Sequence, residues 1–287
     1  MKQEKMFMNQ PLQADNVYPE VHNNSLSEMI GIPVKDGKER AIISGGKLVN
    51  VVSDSYGLLP NQRFFLEVEH QLRDADVHFV QRSINRNDCS FSVDYILKDD
   101  RYHINVKKGK DIIVPMVRFT NSYDGSCKTS GKFGFWRQVC GNGLHVAHTE
   151  VGFSLKHRGS ICELVLPQVS MIIDKFMDNE CYSLHRKFEV LAERTLNHEQ
   201  LRDMVKFVCD KTKIFQFESS EKNPEPGLNA RTVIETVNRE SQQLGGPANR
   251  WLVYNGFNEI LHGKLKKTFE QQRDTDAKVF ETLLSLS

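Results

Sequence analysis

The chain has 287 residues, 38 Lys and Arg against 37 Asp and Glu, and 39% hydrophobic residues, for a formal net charge of +1. That length buries one large core or two modest ones, and a charge so near neutrality selects no class of partner. Apolar runs such as 112–114 and 164–166 fall far short of the roughly 20 residues of a membrane span. The opening MKQEKMFMNQPLQ lacks the sustained apolar core of a secretory signal.

Residues 1–24 are polar and aperiodic and read as a loose arm. Ser25-Leu26-Ser27-Glu28 has the form of a capping box, so a short helix is expected there. Two β-rich pieces, 41–44 and 47–54, flank Gly45-Gly46, a hairpin signal because consecutive glycines supply positive φ. Pro60-Asn61 opens a helix that places Phe64, Phe65, Val68 and Leu72 on one face.

From 77 to 153 the pattern is β, with strands expected at 78–84, 90–97, 101–106, 112–120 and 128–139. Their short connections suit antiparallel hairpins. Pro115 inside the fourth of these strands points to an edge or a bulge. Beyond Gly159 helices are expected over 161–195, 198–214, 229–244, 248–263 and 265–285, with a linker at 219–227. Strands first and helices afterwards indicate an α+β fold: one antiparallel sheet over about 41–157 with a supporting helix, then a largely helical C-terminal half. The implied organisation is an arm at 1–24, a hairpin, helix and sheet at 25–158, and a helical region at 159–287 that packs on the sheet or extends from it.

Charge is unevenly spread. Residues 78–158 hold thirteen Lys and Arg against seven Asp and Glu. A localised anion-binding face would produce this, and so would lysines that protect strand edges. The six cysteines, at 89, 127, 140, 162, 181 and 209, form no C-x-x-C pair, which fits a reducing cytoplasm and thiols acting as small apolar groups.

Three constellations can carry chemistry. Cys140 with His145, His148 and His157 has short spacings that zinc accepts, but lacks the two tight pairs of a structural site. Cys140 can be a nucleophile with His157 as base and Asn142 as orienter, or simply a packed thiol before an Asn-Gly turn. The third is a basic and aromatic sheet face. Alternation along 132–137 puts Lys132, Gly134 and Trp136 on one side and Phe133, Phe135 and Arg137 on the other, while Arg118 shares a side with Met116 and Thr120. Arg118, Lys132 and Arg137 as phosphate contacts, Trp136 as a stacking ring, and Lys107, Lys108 and Lys110 at the sheet margin would hold a single strand. The alternative is that the Phe and Trp rings are core residues on a sheet covered by helices, with the arginines at strand ends. Trp251, Tyr254 and Asn255 share one face of a helix and read as core residues, and Asp124-Gly125-Ser126 as a hairpin turn whose neighbouring amides can also cradle a phosphate.

Asn121-Ser122 with Asp124-Gly125-Ser126, then Arg137-x-Val139-Cys140-x-Asn142-Gly143-Leu144, His157, and Trp251-x-x-x-Asn255 resemble the pattern of a phage- and plasmid-encoded prokaryotic family of unknown function. That resemblance implies work on mobile DNA or on host defences. The element order is also similar to that of single-strand annealing recombinases. The leading expectation is a non-catalytic, single-stranded nucleic-acid-binding protein of recombination or replication, without cofactor or bound metal and able to form homo-oligomers. A protein that binds a host defence or replication protein is the alternative, and a Cys- or zinc-dependent enzyme the third.

Overall fold

The structure is a computed structural model, and it describes residues 18–86, 89–99, 103–106, 111–137, 143–144, 152–175, 181–220, 223–265 and 269–286. The chain forms two compact units. The first comprises Met1–Asp100, Met116–Phe133 and Glu150–Asp178, the second Arg101–Pro115, Gly134–Thr149 and Asn179–Ser287. No described helix is long and apolar enough to cross a membrane.

The first unit begins with β1 (Val21–Ser25), α1 (Leu26–Ile30), β2 (Arg40–Ser44) and β3 (Lys47–Val52), the strands forming a small antiparallel sheet in the order β1-β2-β3. Ser25 caps α1 by accepting from the Glu28 amide, and the turn between β2 and β3 uses Gly45 and Gly46 at φ +56° and +77°. The next helix, α2 (Asn61–Asp74), buries Phe64, Phe65, Val68 and Leu72 as its spacing requires.

Seven strands of a second sheet follow: β4 (Phe79–Arg86), β5 (Ser90–Leu97), β6 (Ile104–Val106), β7 (Asp111–Ser122), β8 (Thr129–Arg137), β9 (Gly143–Leu144) and β10 (Gly152–Leu155). The order is β10-β8-β7-β5-β4, with β6 on β7 and β9 on β8. The pairs β10–β8, β4–β5, β5–β7, β6–β7 and β8–β9 are antiparallel. Pro115 falls between the stretch of β7 that pairs with β6, residues 111–113, and the stretch that pairs with β5, residues 116–122. Neither ladder therefore needs the N–H that proline lacks.

Within the first unit, Phe91, Val93 and Tyr95 of β5, Val117, Phe119 and Asn121 of β7, Gly131 and Phe133 of β8 and Phe153 of β10 are buried on one face. Both long helices cover that face. Phe64 of α2 meets Phe119 edge-on at 5.9 Å, and Ile172 of α3 (Ile161–Lys175) fills the space that a Cβ on Gly131 would occupy. Each fully buried Phe contributes about 1.5–3 kcal/mol relative to exposure.

The second unit holds the start of β7 with β6, the end of β8 with β9, and α4 (Cys181–Glu193), α5 (His198–Thr212), β11 (Glu218–Ser220), β12 (Asn223–Pro226), α6 (Leu228–Gln243), α7 (Arg250–Gly263) and α8 (Phe269–Leu284). Helix α7 is buried on all sides from Trp251 to Asn258 and touches α4, α5, α6 and α8, which marks it as the central helix of this unit. Gly256 lets it approach α6, because a Cβ there would stand 3.0 Å from Val233 Cγ1.

Four expectations change. The Gly45-Gly46 hairpin belongs to its own sheet, since β3 pairs with β2 alone and α2 intervenes before the larger sheet begins. The linker at 219–227 is a hairpin, β11–β12, anchored on α5. Phe217 beside it is buried beneath Arg202 and Lys206, which also pair with Glu225 and Glu218. Of the arm expected at 1–24, residues 1–17 lie outside the described residues, and residues 21–24 are part of β1. The helical stretch expected at 161–195 is two helices, α3 and α4, and residues 176–180 between them lie outside the described residues.

Candidate nucleic-acid interface

The face of the larger sheet opposite α2 and α3 has a different chemistry. In the first unit it carries Ser92 and Asp94 from β5, Arg118 and Thr120 from β7, Ser130 and Lys132 from β8, and Ser154 from β10. Lys128 precedes β8 on this face and Lys156 follows β10. Gly152 pairs with Lys132, Ser154 with Ser130 and Leu155 with Thr129, the last pair, and Lys128 and Lys156 are the residues that flank that end of the ladder. Lys128, Ser154 and Lys156 are exposed, and Ser92, Thr120, Ser130 and Lys132 are partly so. Among the described residues of β5, β7, β8 and β10 on this face, Asp94 is the one carboxylate. It is spent on Arg118, which donates to it through Nε at 2.6 Å and Nη2 at 2.9 Å.

Of the residues that sequence singles out, Arg118 and Lys132 therefore share this face. The Arg118 side chain is only 11% exposed and its charge is balanced at contact distance. Sequence reasoning misses Lys128 and Lys156. A signal for them exists, because Lys128 stands at the same two-residue spacing before Ser130 and Lys132 of one strand as Lys156 does after Ser154 of another. Lys107, Lys108 and Lys110 lie outside the described residues, as does the side chain of Trp136, whose backbone is part of β8.

Arg137 lies elsewhere, in the second unit, and against expectation it is an internal charge rather than a surface contact for phosphate. Its side chain has no exposure; Nε and Nη2 donate to Asp111 at 2.6–2.9 Å and Nη1 to Glu240 at 2.5 Å. Alternation along β8 places it with Phe133 and Phe135, on the side that turns inward. Burial raises the Glu240 carboxyl above its ordinary range, opposed by Arg137. Trp251 donates its indole N–H to Asp111 at 2.8 Å, and Asn255 closes the turn below by donating to the Trp251 carbonyl. Tyr254 and Asn258 both donate to buried Asp276. The polar side chains of this C-terminal motif thus bond to Asp111, to the Trp251 carbonyl and to Asp276, all inside the unit.

The other signature residues knit the first unit together. Asn121 donates to the Leu59 carbonyl and to Asn61, and accepts from Thr129 at 2.7 Å. The two ring nitrogens of His157 contact Thr129 Oγ1 and the Gly57 carbonyl, each at 3.2 Å, and its ring stacks on Tyr56 at 5.2 Å. Burial lowers the His157 pKa, against the bond to Gly57, which raises it. Both ring nitrogens thus face oxygens of this unit rather than a described thiol or carboxylate. Cys140, Asn142, His145 and His148 lie outside the described residues, and the described ones contain no group of three or more His, Cys, Asp or Glu able to hold a metal ion. The turn of Asp124, Gly125 and Ser126 is braced internally: Asp124 accepts from the Ser126 amide, Gly125 takes φ +77°, and Ser122 Oγ bonds both backbone groups of Cys127.

No curated protein and no solved structure matches the chain. Residues 48–283, most of its length, match the family described as Domain of unknown function (DUF932), and the chain belongs to that family.

Proposed function

We propose that the face bearing Lys128, Lys132 and Lys156 binds single-stranded nucleic acid, without catalysis, in recombination or replication of a mobile element. The observation that carries this reading is the composition of the face: three lysines around Ser130 and Ser154, with the one described carboxylate of those strands balanced by Arg118. Lysine ammonium groups attract phosphates as compact point charges, and hydroxyls beside them donate to phosphate oxygens. The resemblance of the signature residues to a phage- and plasmid-encoded family supports the mobile-element setting.

The test is a fluorescence-anisotropy titration with single-stranded DNA, duplex DNA and RNA across a salt series, on the parent chain and on a Lys128→Gln, Lys132→Gln, Lys156→Gln variant. The variant should bind single strands more weakly. Its log–log salt slope should be shallower by roughly 0.7 for each phosphate that a removed lysine had neutralised. Absence of binding by the parent chain at about 50 mM salt and micromolar protein would overturn the reading. Co-purification of a specific host protein with such a chain would transfer the assignment to a protein partner.

A further inference from the structure

We infer that the bound strand runs across the β-strands, along the hydroxyl row Ser154, Ser130, Thr120 and Ser92, gripped by its sugar–phosphate backbone and held without regard to base sequence. This inference rests on the nucleic-acid reading above and specifies its ligand.

The row follows from the registers. Ser154 pairs with Ser130, and Thr120 pairs with Ser92, the hydroxyls of the second pair bonded to each other at 3.1 Å. On the opposite face Thr129 reaches Asn121 across β8 and β7, which brings the next residues, Ser130 and Thr120, together on this one. With strands about 4.8 Å apart, four hydroxyls in register extend over roughly 14 Å.

Burial fixes the direction. Along β7 the same-face residues on either side of Arg118 and Thr120, Met116 and Ser122, have no exposure; along β5, Ile96, Asp94 and Ser90 are buried around Ser92. The accessible strip on these strands is thus one or two residues wide and lies transverse to them. At the β8–β10 end it is bracketed by Lys128 and Lys156 on one side and Lys132 on the other. At the β5–β7 end it is bordered by the neutral Arg118–Asp94 pair. A polyanion therefore enters on lysines and continues over hydroxyls.

Serine and threonine hydroxyls donate to phosphate oxygens or exchange bonds with sugar hydroxyls. They carry no pattern that distinguishes one base from another as an Asn or Gln pair does, and the row contains no ring for a base to stack on. Neutral contacts add affinity without counterion release, which separates them experimentally from the lysines.

The experiment uses the full chain with dT, dA and dC homopolymers of equal length, and a Ser92→Ala, Thr120→Val, Ser130→Ala variant whose folding is checked by circular dichroism. Exposed Ser154→Ala serves as a second variant that leaves the fold untouched. The triple variant should lose about tenfold in affinity, as expected for a few neutral hydrogen bonds, with an unchanged salt slope. Ser154→Ala should lose about twofold to threefold on the same basis. The parent chain should bind the three homopolymers within a few-fold of one another. If the parent binds but both variants match it, or if the homopolymers differ by more than about tenfold, the transverse backbone grip is wrong while nucleic-acid binding stands. If the parent binds none of them, both are wrong.

Discussion

The indole N–H of Trp251 and the guanidinium of Arg137 end on the same atom, Oδ2 of Asp111, at 2.8 and 2.6 Å. The guanidinium also lies 5.7 Å from the Trp251 ring centroid, and Glu240 takes its remaining fork. One buried cation thus ties the end of β8 to the start of β7 and to α6, while Asp111 itself is bonded to the first turn of α7.

Removing that cation leaves two buried carboxylates facing each other. Arg137→Met should destabilise the protein by about 3–5 kcal/mol, because breaking a buried pair from one side strands the remaining charge. Trp251→Ala should cost a similar amount, about 3–5 kcal/mol, by emptying the centre of the second unit's core. Urea unfolding of each variant measures this, and an unchanged midpoint for Arg137→Met would show that the cluster is dispensable.

Asp94 is predicted to hold down the affinity of the sheet face. Asp94→Asn keeps the shape of the side chain and removes the negative charge that balances Arg118. Single-strand binding should tighten, and its salt slope should steepen by roughly 0.7 as one more cation engages phosphate. A slope identical to that of the parent chain in the anisotropy series would show that Arg118 stays withdrawn.

These two predictions concern arginines that look alike in sequence and differ in place. Alternation along β8 sets Arg137 beside Phe133 and Phe135, so its inward orientation is legible. Its partners are not, because Asp111 lies 26 positions away and Glu240 103 positions away, with nothing local to link them. Local signals succeed where the physics is local: the Ser25 cap, the paired glycines of the first hairpin, and the buried stripe of Phe64, Phe65, Val68 and Leu72. The β11–β12 hairpin is hidden because its prolines and charges read as a linker, while the ion pairs and the Phe217 ring that anchor it on α5 are tertiary. Two cations of the candidate face, Arg118 and Lys132, follow from strand alternation. Lys128 and Lys156 flank the same end of the β8–β10 ladder, a placement that only the register of two strands distant in sequence gives.

Gly131 should tolerate no side chain. A Cβ there would lie 2.5 Å from Phe153 Cε1 and 2.7 Å from both Ile172 Cδ1 and Phe119 Cε1. Gly131→Ala should therefore cost about 1–3 kcal/mol through overpacking, although alanine fits the strand backbone. A melting temperature equal to the parent's would mean that α3 shifts away from the sheet without penalty.

The last prediction concerns pH. Burial lowers the His157 pKa in the folded state below its ordinary value near 6.5, so the fold favours the neutral ring. A depressed folded pKa gives a contribution that is complete above about pH 6.5 and is lost as pH falls through the folded value, because the unfolded chain then binds the proton more readily. The difference in urea midpoint between the parent chain and His157→Gln should accordingly shrink as pH drops from 8 to 5. The hydrogen bonds define the opposing possibility. Gly57 offers only a carbonyl, and the Thr129 hydroxyl already donates to Asn121, so both ring nitrogens face acceptors. A midpoint difference that grows towards acid pH would show that these acceptors outweigh burial and that the first unit is held together by an imidazolium.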